Sequence, residues 1–165
     1  MVKRLAIEAL TAERFAPFGE VISADAAARH FPINGGTTER YHDLANLDAG
    51  SDGKLIVSIL RGQPRELPFA VTMLERHPLG SQAFVPLGQQ PYLVVVAPTG
   101  EAPEPDALRA FFAQPGQGVN YAKGVWHHPL LALNEISDFL VIDRSGPGNN
   151  CDEITLAEPR FLTLD

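Results

Sequence analysis

The sequence predicts an all-β protein, built as a sandwich or a barrel. Fourteen glycines and fourteen prolines are spread along its 165 residues and divide it into short apolar runs of strand length. These runs are rich in valine, isoleucine, leucine and aromatic residues, which fit a pleated, half-buried surface. Only two short segments have a helical pattern. Length and composition together predict one domain spanning residues 1–165.

The predicted elements follow from the apolar runs and from the residues that bound them. Thr11–Phe15 is predicted as a helical turn capped by Thr11, and Ala107–Phe112 as a second one capped by Asp106. Three prolines and a glycine make residues 98–106 a surface connection. The predicted strands are Arg4–Glu8, Glu20–Ser23, Lys54–Arg61, Phe69–His77, Ala83–Pro86, Tyr92–Ala97, Gly118–Tyr121, His128–Ala132 and Asp138–Ile142.

Charge and cysteine content restrict the function classes. A formal net charge of −7 argues against nucleic-acid and anionic-membrane partners, because both need a basic surface. We therefore expect a small-molecule ligand. The single cysteine, Cys151, cannot form an internal disulfide, and no apolar run of signal-peptide length precedes Glu8. These features predict a cytoplasmic protein.

The segment from Leu67 to Phe84 contains the most informative pattern. Along a strand, alternate side chains share a face, so the face that begins with Phe69 ends with Glu75 and His77. A carboxylate and an imidazole beside a core face are costly to bury unless they are paired, hydrogen-bonded or bound to a cation. They make sense as a site at a barrel mouth. The alternative is that both lie at a solvated strand end.

Gln82 follows His77 after a Pro-Leu-Gly-Ser turn and can return on the adjoining strand beside the same pair. Glu75, His77 and Gln82 would then offer oxygen, nitrogen and oxygen ligands to a divalent metal. The same three side chains could instead hydrogen-bond a polar substrate, and spacing does not separate these interpretations.

A second polar segment runs from Pro115 to Leu131. His127 comes three residues after Gly124, and since neighbouring His127 and His128 point to opposite sides of a strand, at most one faces the interior. We predict that it is His127. Trp126 is interpreted as a packing residue. Lys123 would pair with a substrate carboxylate if it points inward, and otherwise lies in an exposed turn.

The run Thr38–Leu44 alternates again and places Arg40 on one face and Tyr41 on the other. Arg40 is a candidate clamp for a substrate carboxylate, because a guanidinium matches a carboxylate bidentately. The alternative is an ordinary surface arginine. The chain contains no phosphate-binding glycine loop, Gly-x-Ser-x-Gly elbow or Cys-x-x-Cys pair.

The two polar segments resemble the two motif regions of the cupin superfamily, in which a His-x-His, an acidic residue and a later histidine converge inside a small barrel. Here Glu75 stands in the place of the first histidine, and His77 keeps the second. Gln82 replaces the acidic residue, and His127 takes the place of the late histidine. The resemblance implies a cupin-like jelly-roll β-barrel and a metal set of Glu75, His77, Gln82 and His127, with two of the four usual ligands changed.

Five motifs spread over nearly the whole chain carry a closer resemblance. They are Phe15-Ala-Pro-Phe-Gly, Arg40-Tyr-His-Asp-Leu, Met73-Leu-Glu-Arg-His-Pro-Leu-Gly-Ser-Gln-Ala-Phe, Pro115-Gly-Gln-Gly-Val-Asn-Tyr and Gly124-Val-Trp-His-His-Pro-Leu. In combination they resemble the ureidoglycolate lyase family. The resemblance implies cleavage of ureidoglycolate to glyoxylate and urea in allantoin and purine-nitrogen catabolism, a cytoplasmic homodimer, and nickel or another divalent metal.

This resemblance leads to a hypothesis for each candidate residue. His77 or Glu75 would take the hydroxyl proton of the substrate, and His127 would protonate the leaving nitrogen. The candidate substrate-binding residues are Arg40, Gln82, Lys123, Tyr41 and Asn120. Two other functions remain open from the sequence: another metal-dependent cupin enzyme, such as a dioxygenase or isomerase, and a non-catalytic barrel that binds a small molecule.

Overall fold

The computed structural model describes residues 1–164, which form fourteen β-strands and one short α-helix. The helix α1 covers Ala12–Phe15. The strands are β1 (Ile7–Ala9), β2 (Gly19–Ile22), β3 (His30–Ile33), β4 (Thr38–Tyr41), β5 (Lys54–Gly62), β6 (Phe69–Arg76), β7 (Gln82–Pro86), β8 (Tyr92–Ala97), β9 (Arg109–Ala113), β10 (Gly118–Tyr121), β11 (Trp126–His127), β12 (Leu131–Ala132), β13 (Ser137–Ser145) and β14 (Asp152–Leu162).

Two main sheets contain most of these strands. The first has the order β1-β9-β8-β11-β6-β14, with β12 also paired to β8, and the second has the order β2-β10-β7-β13-β5. Within both sheets the pairs are antiparallel, except for β1 and β9. Strands β3 and β4 form a separate hairpin. The predicted all-β, cupin-like fold is confirmed.

Apolar side chains fill the space between the two main sheets. Tyr92 of the first sheet packs edge-on against Phe139 of the second, with ring centroids 4.9 Å apart. A second apolar cluster lies on the other face of the first sheet and contains Trp126 and Leu74. Large apolar surfaces buried in this way supply most of the free energy of folding. This apolar packing holds the two sheets together, and the polar side chains that meet between them are positioned by it.

The helical turn at Thr11–Phe15 was predicted correctly. The Thr11 side chain accepts a hydrogen bond from the backbone N–H of Arg14 at 3.2 Å, as an N-cap does. Phe15 anchors the turn, because its ring is fully buried against Phe18 and Phe111.

The helix predicted at Ala107–Phe112 is wrong. A single 3₁₀ turn covers Pro105–Ala107, and Arg109–Ala113 then forms β9. Local propensity favoured a helical turn, but β9 pairs with β8 along its whole length and buries Phe111 completely. Ladder hydrogen bonds and core burial outweigh the weak helical preference of so short a segment.

Other strand predictions differ from the structure in extent. Of the segment predicted as the strand His128–Ala132, only Leu131–Ala132 is a strand (β12); β11 ends before it at His127, and Pro129, which has no N–H to donate, lies between the two strands. The first strand begins at Ile7 rather than Arg4. The hairpin β3–β4 and the long strand β14 were not predicted. No helix in residues 1–164 has the length and apolar character needed to cross a membrane.

Candidate functional site

Strand pairing brings polar side chains from both sheets to one place between them. In the first sheet His127 lies directly opposite Glu75, so both side chains project from the same face. In the second sheet Gln82 lies opposite Tyr121 in the same way. His77 follows the end of β6, and its carbonyl oxygen accepts a hydrogen bond from the backbone N–H of Gly124 at 2.9 Å.

Four side-chain atoms from these residues converge. Gln82 Oε1 lies 3.1 Å from His77 Nε2 and 3.2 Å from His127 Nε2. Glu75 Oε1 lies 3.4 Å from His127 Nε2 and 3.8 Å from His77 Nε2. We call Glu75, His77, Gln82 and His127 the four-residue cluster. The sequence predicted this grouping, and the structure brings all four side chains together.

Backbone carbonyl groups set the protonation of both imidazoles. His77 Nδ1–H donates to the carbonyl oxygen of Asn150 at 2.7 Å, and His127 Nδ1–H donates to that of Val125 at 3.1 Å. In the neutral form of either ring the single proton then lies on Nδ1, and Nε2 presents a lone pair to the cluster. Gln82 is oriented by Asp143, whose Oδ2 accepts from Gln82 Nε2 at 3.2 Å. Four lone-pair atoms therefore point at a common centre.

Burial differs sharply across the cluster. The side chain of His127 is only 1% exposed and stacks on the Tyr121 ring, with centroids 4.1 Å apart and planes 4° from parallel. Those of Glu75 and His77 are 18% and 15% exposed. The cluster thus has a dry inner side at His127 and opens to solvent at Glu75 and His77.

The electrostatics of the cluster favour an ionised Glu75 and a neutral His127. Burial raises the pKa of the Glu75 carboxyl, but the neighbouring His127 side chain outweighs burial and holds that pKa below its ordinary value. Burial lowers the pKa of His127, and the nearby Glu75 only partly opposes this effect. Burial also raises the pKa of Tyr121, so its phenol keeps its proton.

The arrangement fits a divalent transition-metal ion. Ligand atoms of Glu75, His77 and His127 all lie within 4.8 Å of one another, and Gln82 Oε1 adds a fourth. Two imidazole nitrogens, a carboxylate and an amide oxygen suit such an ion. Lone pairs that converge without a proton between them repel one another, and a cation relieves that repulsion. The structure thus contains a candidate His/Glu metal-binding group, as the sequence predicted.

Cys151 lies beside this group rather than away from it. Its Sγ is 3.9 Å from Glu75 Oε2, the carboxylate oxygen that does not face the imidazoles. Glu153, opposite Glu75 on β14, completes a second group of potential ligands with Glu75 and Cys151. Burial, together with Glu75 and other nearby carboxylates, raises the pKa of Cys151, so the thiol stays protonated.

Two of the predicted substrate-binding residues, Lys123 and Asn120, are close in sequence to Tyr121 and His127, but their side chains point in different directions. Lys123 stands in the turn next to Gly124, is about half exposed, and pairs with Asp48 at 3.4 Å. Asn120 is fully buried and, by strand alternation, points to the opposite face from Tyr121. Its amide donates to Glu20 there. The structure therefore places Lys123 in an exposed turn beside Gly124, whose N–H bonds to the His77 carbonyl, and does not bring Asn120 to the cluster.

Arg40 and Tyr41 lie on the separate β3–β4 hairpin. Arg40 pairs in register with Phe31, and the Tyr41 ring stacks on His30, with centroids 5.0 Å apart. Within residues 1–164, neither side chain forms a hydrogen bond or ion pair with the four-residue cluster. Neither side chain therefore contacts the cluster within this chain, and their contact with a substrate stays a prediction.

Sequence reasoning missed the side chains that orient the cluster. Tyr121 and Asp143 both face it from the second sheet, and the carbonyl of Asn150 fixes His77. The alternation of β10 puts Tyr121 on the face opposite to Asn120, which is a signal present in the sequence. The pairing of β13 with β7, which brings Asp143 to Gln82, is a long-range contact without a local signal.

Comparison with known proteins gives a consistent result along the whole chain. The family model described as ureidoglycolate lyase matches residues 2–163. A protein of Burkholderia cepacia named ureidoglycolate lyase is 62% identical over 154 residues, covering 92% of this chain and 86% of that protein. Proteins with the same name from Burkholderia mallei (strain NCTC 10229) and Pseudomonas syringae pv. syringae (strain B728a) are 58% and 54% identical over 165 residues, covering 99% of this chain and 96% of each relative.

Proposed function

The chain belongs to the ureidoglycolate lyase family, and from this premise we propose that it is the enzyme that cleaves ureidoglycolate to glyoxylate and urea at the four-residue cluster. The observation that carries the assignment of the site is the convergence of Glu75 Oε1, Gln82 Oε1 and the two Nε2 atoms between the sheets. The cluster combines an ionised carboxylate with two imidazole nitrogens at a solvent opening, as acid–base chemistry on a small polar molecule requires.

The reaction itself is a proton relocation coupled to bond cleavage. Ureidoglycolate is the carbinol adduct of urea and glyoxylate. Its O–H bond breaks, the carbon–oxygen double bond of glyoxylate forms, the carbon–nitrogen bond breaks, and the leaving nitrogen gains a proton. No oxidant or reductant is needed, because the proton lost by oxygen equals the one gained by nitrogen. One side chain that accepts and returns a proton is sufficient.

We assign this proton transfer to Glu75. Its carboxylate is ionised, and Oε2, the oxygen that does not meet the imidazoles, faces the exposed Cys151, whose Sγ is 3.9 Å away. Oε2 accepts the hydroxyl proton and returns it to the leaving nitrogen. His127, the acid expected from the sequence, carries no proton on Nε2 while Nδ1–H donates to Val125, so we give it a ligand role. Lys123, in the exposed turn beside Gly124, would pair with the substrate carboxylate by exchanging its contact with Asp48.

Glu75, His77, Gln82 and His127 would hold a divalent metal ion, and the family resemblance suggests nickel. When bound, the ion would supply a Lewis acid toward the hydroxyl of the substrate. The roles proposed for the side chains are the same with a metal bound. Glu75 Oε1, Gln82 Oε1 and the Nε2 atoms face one another, and Glu75 Oε2, on the side of Cys151, would remain for the proton.

Urea release from racemic ureidoglycolate by the purified protein tests this function. We expect urea without ammonia above the spontaneous decay of the substrate, loss of that release after chelator treatment, and recovery with nickel. Ammonia instead of urea would indicate hydrolysis. No release above background, with nickel and manganese each added, would overturn the assignment. Oxygen consumption would then favour another cupin enzyme, and substrate binding without turnover would favour a binding module.

The pH dependence of kcat/KM should show an acid limb below pH 6.5. Burial lowers the pKa of His127 from its ordinary value of 6.5, so Nε2 keeps its lone pair until the pH falls below that value. Glu75 has a pKa below its ordinary value of 4.5 and stays ionised over the same range. Rates measured between about pH 4.5 and 9 locate the limb. A limb centred well above pH 6.5 would contradict the neutral, buried His127.

The cellular setting and the assembly are further parts of the proposal. The single cysteine suits a reducing compartment, so we place the reaction in the cytoplasm, in the recovery of purine nitrogen from allantoin. We also propose a homodimer. An exposed apolar row on the edge strand β5 supports it: Leu55, Val57 and Ile59 are 40%, 65% and 55% exposed and share one face.

Changing Val57 and Ile59 together to lysine should convert the dimer to a monomer. Two charges on the outer face of β5 would oppose its burial against a second copy, whereas the fold tolerates them because both side chains already face solvent. Sedimentation equilibrium measures the result. The matched control changes Leu87, an exposed apolar residue at the end of β7, to lysine and should remain dimeric. A monomeric unmodified protein would contradict the proposal.

A further inference from the structure

We propose that Asp143 is a positioning residue that holds the Gln82 amide with its carbonyl oxygen toward the two imidazoles. The inference deepens the proposed function and depends on the four-residue cluster being the site of reaction. Asp143 would not touch the substrate. Its effect would pass through Gln82, whose Nε2 donates to Asp143 Oδ2 at 3.2 Å.

The register of the second sheet places Asp143 on the inner face. Ile142 pairs with Ala83, and the adjacent residues Asp143 and Gln82 therefore lie side by side with their side chains on the same face. The opposite face of this sheet carries Asn120 and Glu20, which hydrogen-bond each other away from the cluster. Asp143 thus faces Gln82 because of strand pairing, and Gln82, which is 8% exposed, has little room to turn elsewhere.

Asp143 lacks the cationic partner that other carboxylates on or near its strand have. Asp138, at the start of β13, is paired with Arg61 at 2.8 Å, and Arg144 is paired with Asp52 at 3.1 Å. Within residues 1–164 no cation lies within ion-pair distance of Asp143, and its side-chain hydrogen bond is the one to Gln82. A half-buried carboxylate without a counter-charge costs folding free energy. A functional role for Asp143 would explain why a carboxylate stands on this face.

The chemistry of the two amide orientations supplies that use. With its NH₂ group toward the imidazoles, Gln82 would donate to the bare Nε2 atoms of His77 and His127 and close the cluster on itself. An ionised carboxylate accepts hydrogen bonds and cannot donate them, so Asp143 stabilises only the orientation with NH₂ toward itself. It therefore keeps Gln82 Oε1 and both imidazole lone pairs available for a ligand.

Three variants test the inference in the full-length protein. In Asp143→Leu, which has a similar size but no acceptor, we expect kcat/KM to fall and the nickel dissociation constant of metal-stripped protein to rise, each by about 10- to 100-fold. Asp143→Asn keeps an acceptor oxygen and should recover most of both quantities. Asp138→Leu, on the same strand but at the surface, is the matched control and should change neither by more than about twofold.

A double-mutant cycle separates positioning from a direct role. If Asp143 acts only through Gln82, then adding Asp143→Leu to Gln82→Ala should change kcat/KM and nickel affinity by less than about twofold. A further loss in that background, together with an unchanged melting temperature, would overturn the positioning role, as would normal values for Asp143→Leu alone. Absence of urea release by the unmodified protein would instead reject the proposed function, and the nickel titrations would still decide the role of Asp143.

Discussion

Replacement of Glu75 by glutamine should lower kcat/KM for ureidoglycolate by about 10³-fold while leaving the fold intact, because the change removes the only carboxylate of the cluster. The new amide side chain would keep the size of the original one and its place opposite His127 on β11. It would have no anionic oxygen to accept the hydroxyl proton, and it would bind a divalent ion more weakly than a carboxylate does. Steady-state urea release measures the first effect, and a nickel titration the second.

The matched control for this prediction is Glu153→Gln. Glu153 lies directly opposite Glu75 on β14 but is exposed, and its change should leave kcat/KM within about twofold. Thermal unfolding of both variants reports on the fold. Similar activity of Glu75→Gln and the unmodified protein would exclude Glu75 as the group that moves the proton. An equal loss in both variants would point to the summed negative charge of this strand pair rather than to one carboxylate.

The sequence predicted that the four-residue cluster would come together, because that grouping depends on local geometry. Alternation along β6 puts Glu75 on the inner face, and His77 and Gln82 are joined to it by one short turn. Only His127 comes from a distant segment. Its inclusion followed from two facts: neighbouring His127 and His128 face opposite sides of a strand, and His127 takes the place of the late histidine of the cupin motif. Each of these inferences needs only one strand or one hairpin.

The supporting residues could not be predicted because they depend on which strands pair. Asp143 meets Gln82 only through the register of β13 with β7, and Asn150 reaches His77 from a loop more than seventy residues away. Asn120 was a candidate for substrate binding from the sequence, although the alternation of β10 directs its side chain to the opposite face from Tyr121. Residues that orient a site by long-range contacts leave no periodic signal of their own.

The same distinction explains the errors in the fold. The segment predicted as a helix at Ala107–Phe112 has a weak local preference, and its pairing with β8 decides its conformation. The long strand β14 escaped prediction because its alternation is interrupted: its register with β6 shifts between Thr155 and Arg160, next to Pro159. Strong local alternation survives in the folded protein, whereas weak or interrupted patterns yield to tertiary pairing.

Replacement of His77 by alanine should lower turnover by at least ~100-fold while the fold persists. His77 lies just beyond β6 at the solvent opening, where its side chain is 15% exposed, so its removal leaves no closed cavity. The backbone bond from Gly124 to the carbonyl of His77 is kept in the variant. What disappears is the Nε2 atom with its contact to Gln82 Oε1, together with the hydrogen bond from Nδ1 to the carbonyl of Asn150.

His30→Ala is the matched control for this last change, because His30 is an exposed histidine on the β3–β4 hairpin, paired with Glu39 at 2.7 Å. Its activity should stay within about twofold of the unmodified protein. A His77→Ala variant with near-normal turnover would reject the four-residue cluster as the site of reaction. A loss of activity with a lowered melting temperature would show a structural effect instead, and His77→Gln, which can still offer an oxygen lone pair at the opening, would then separate ligand loss from misfolding.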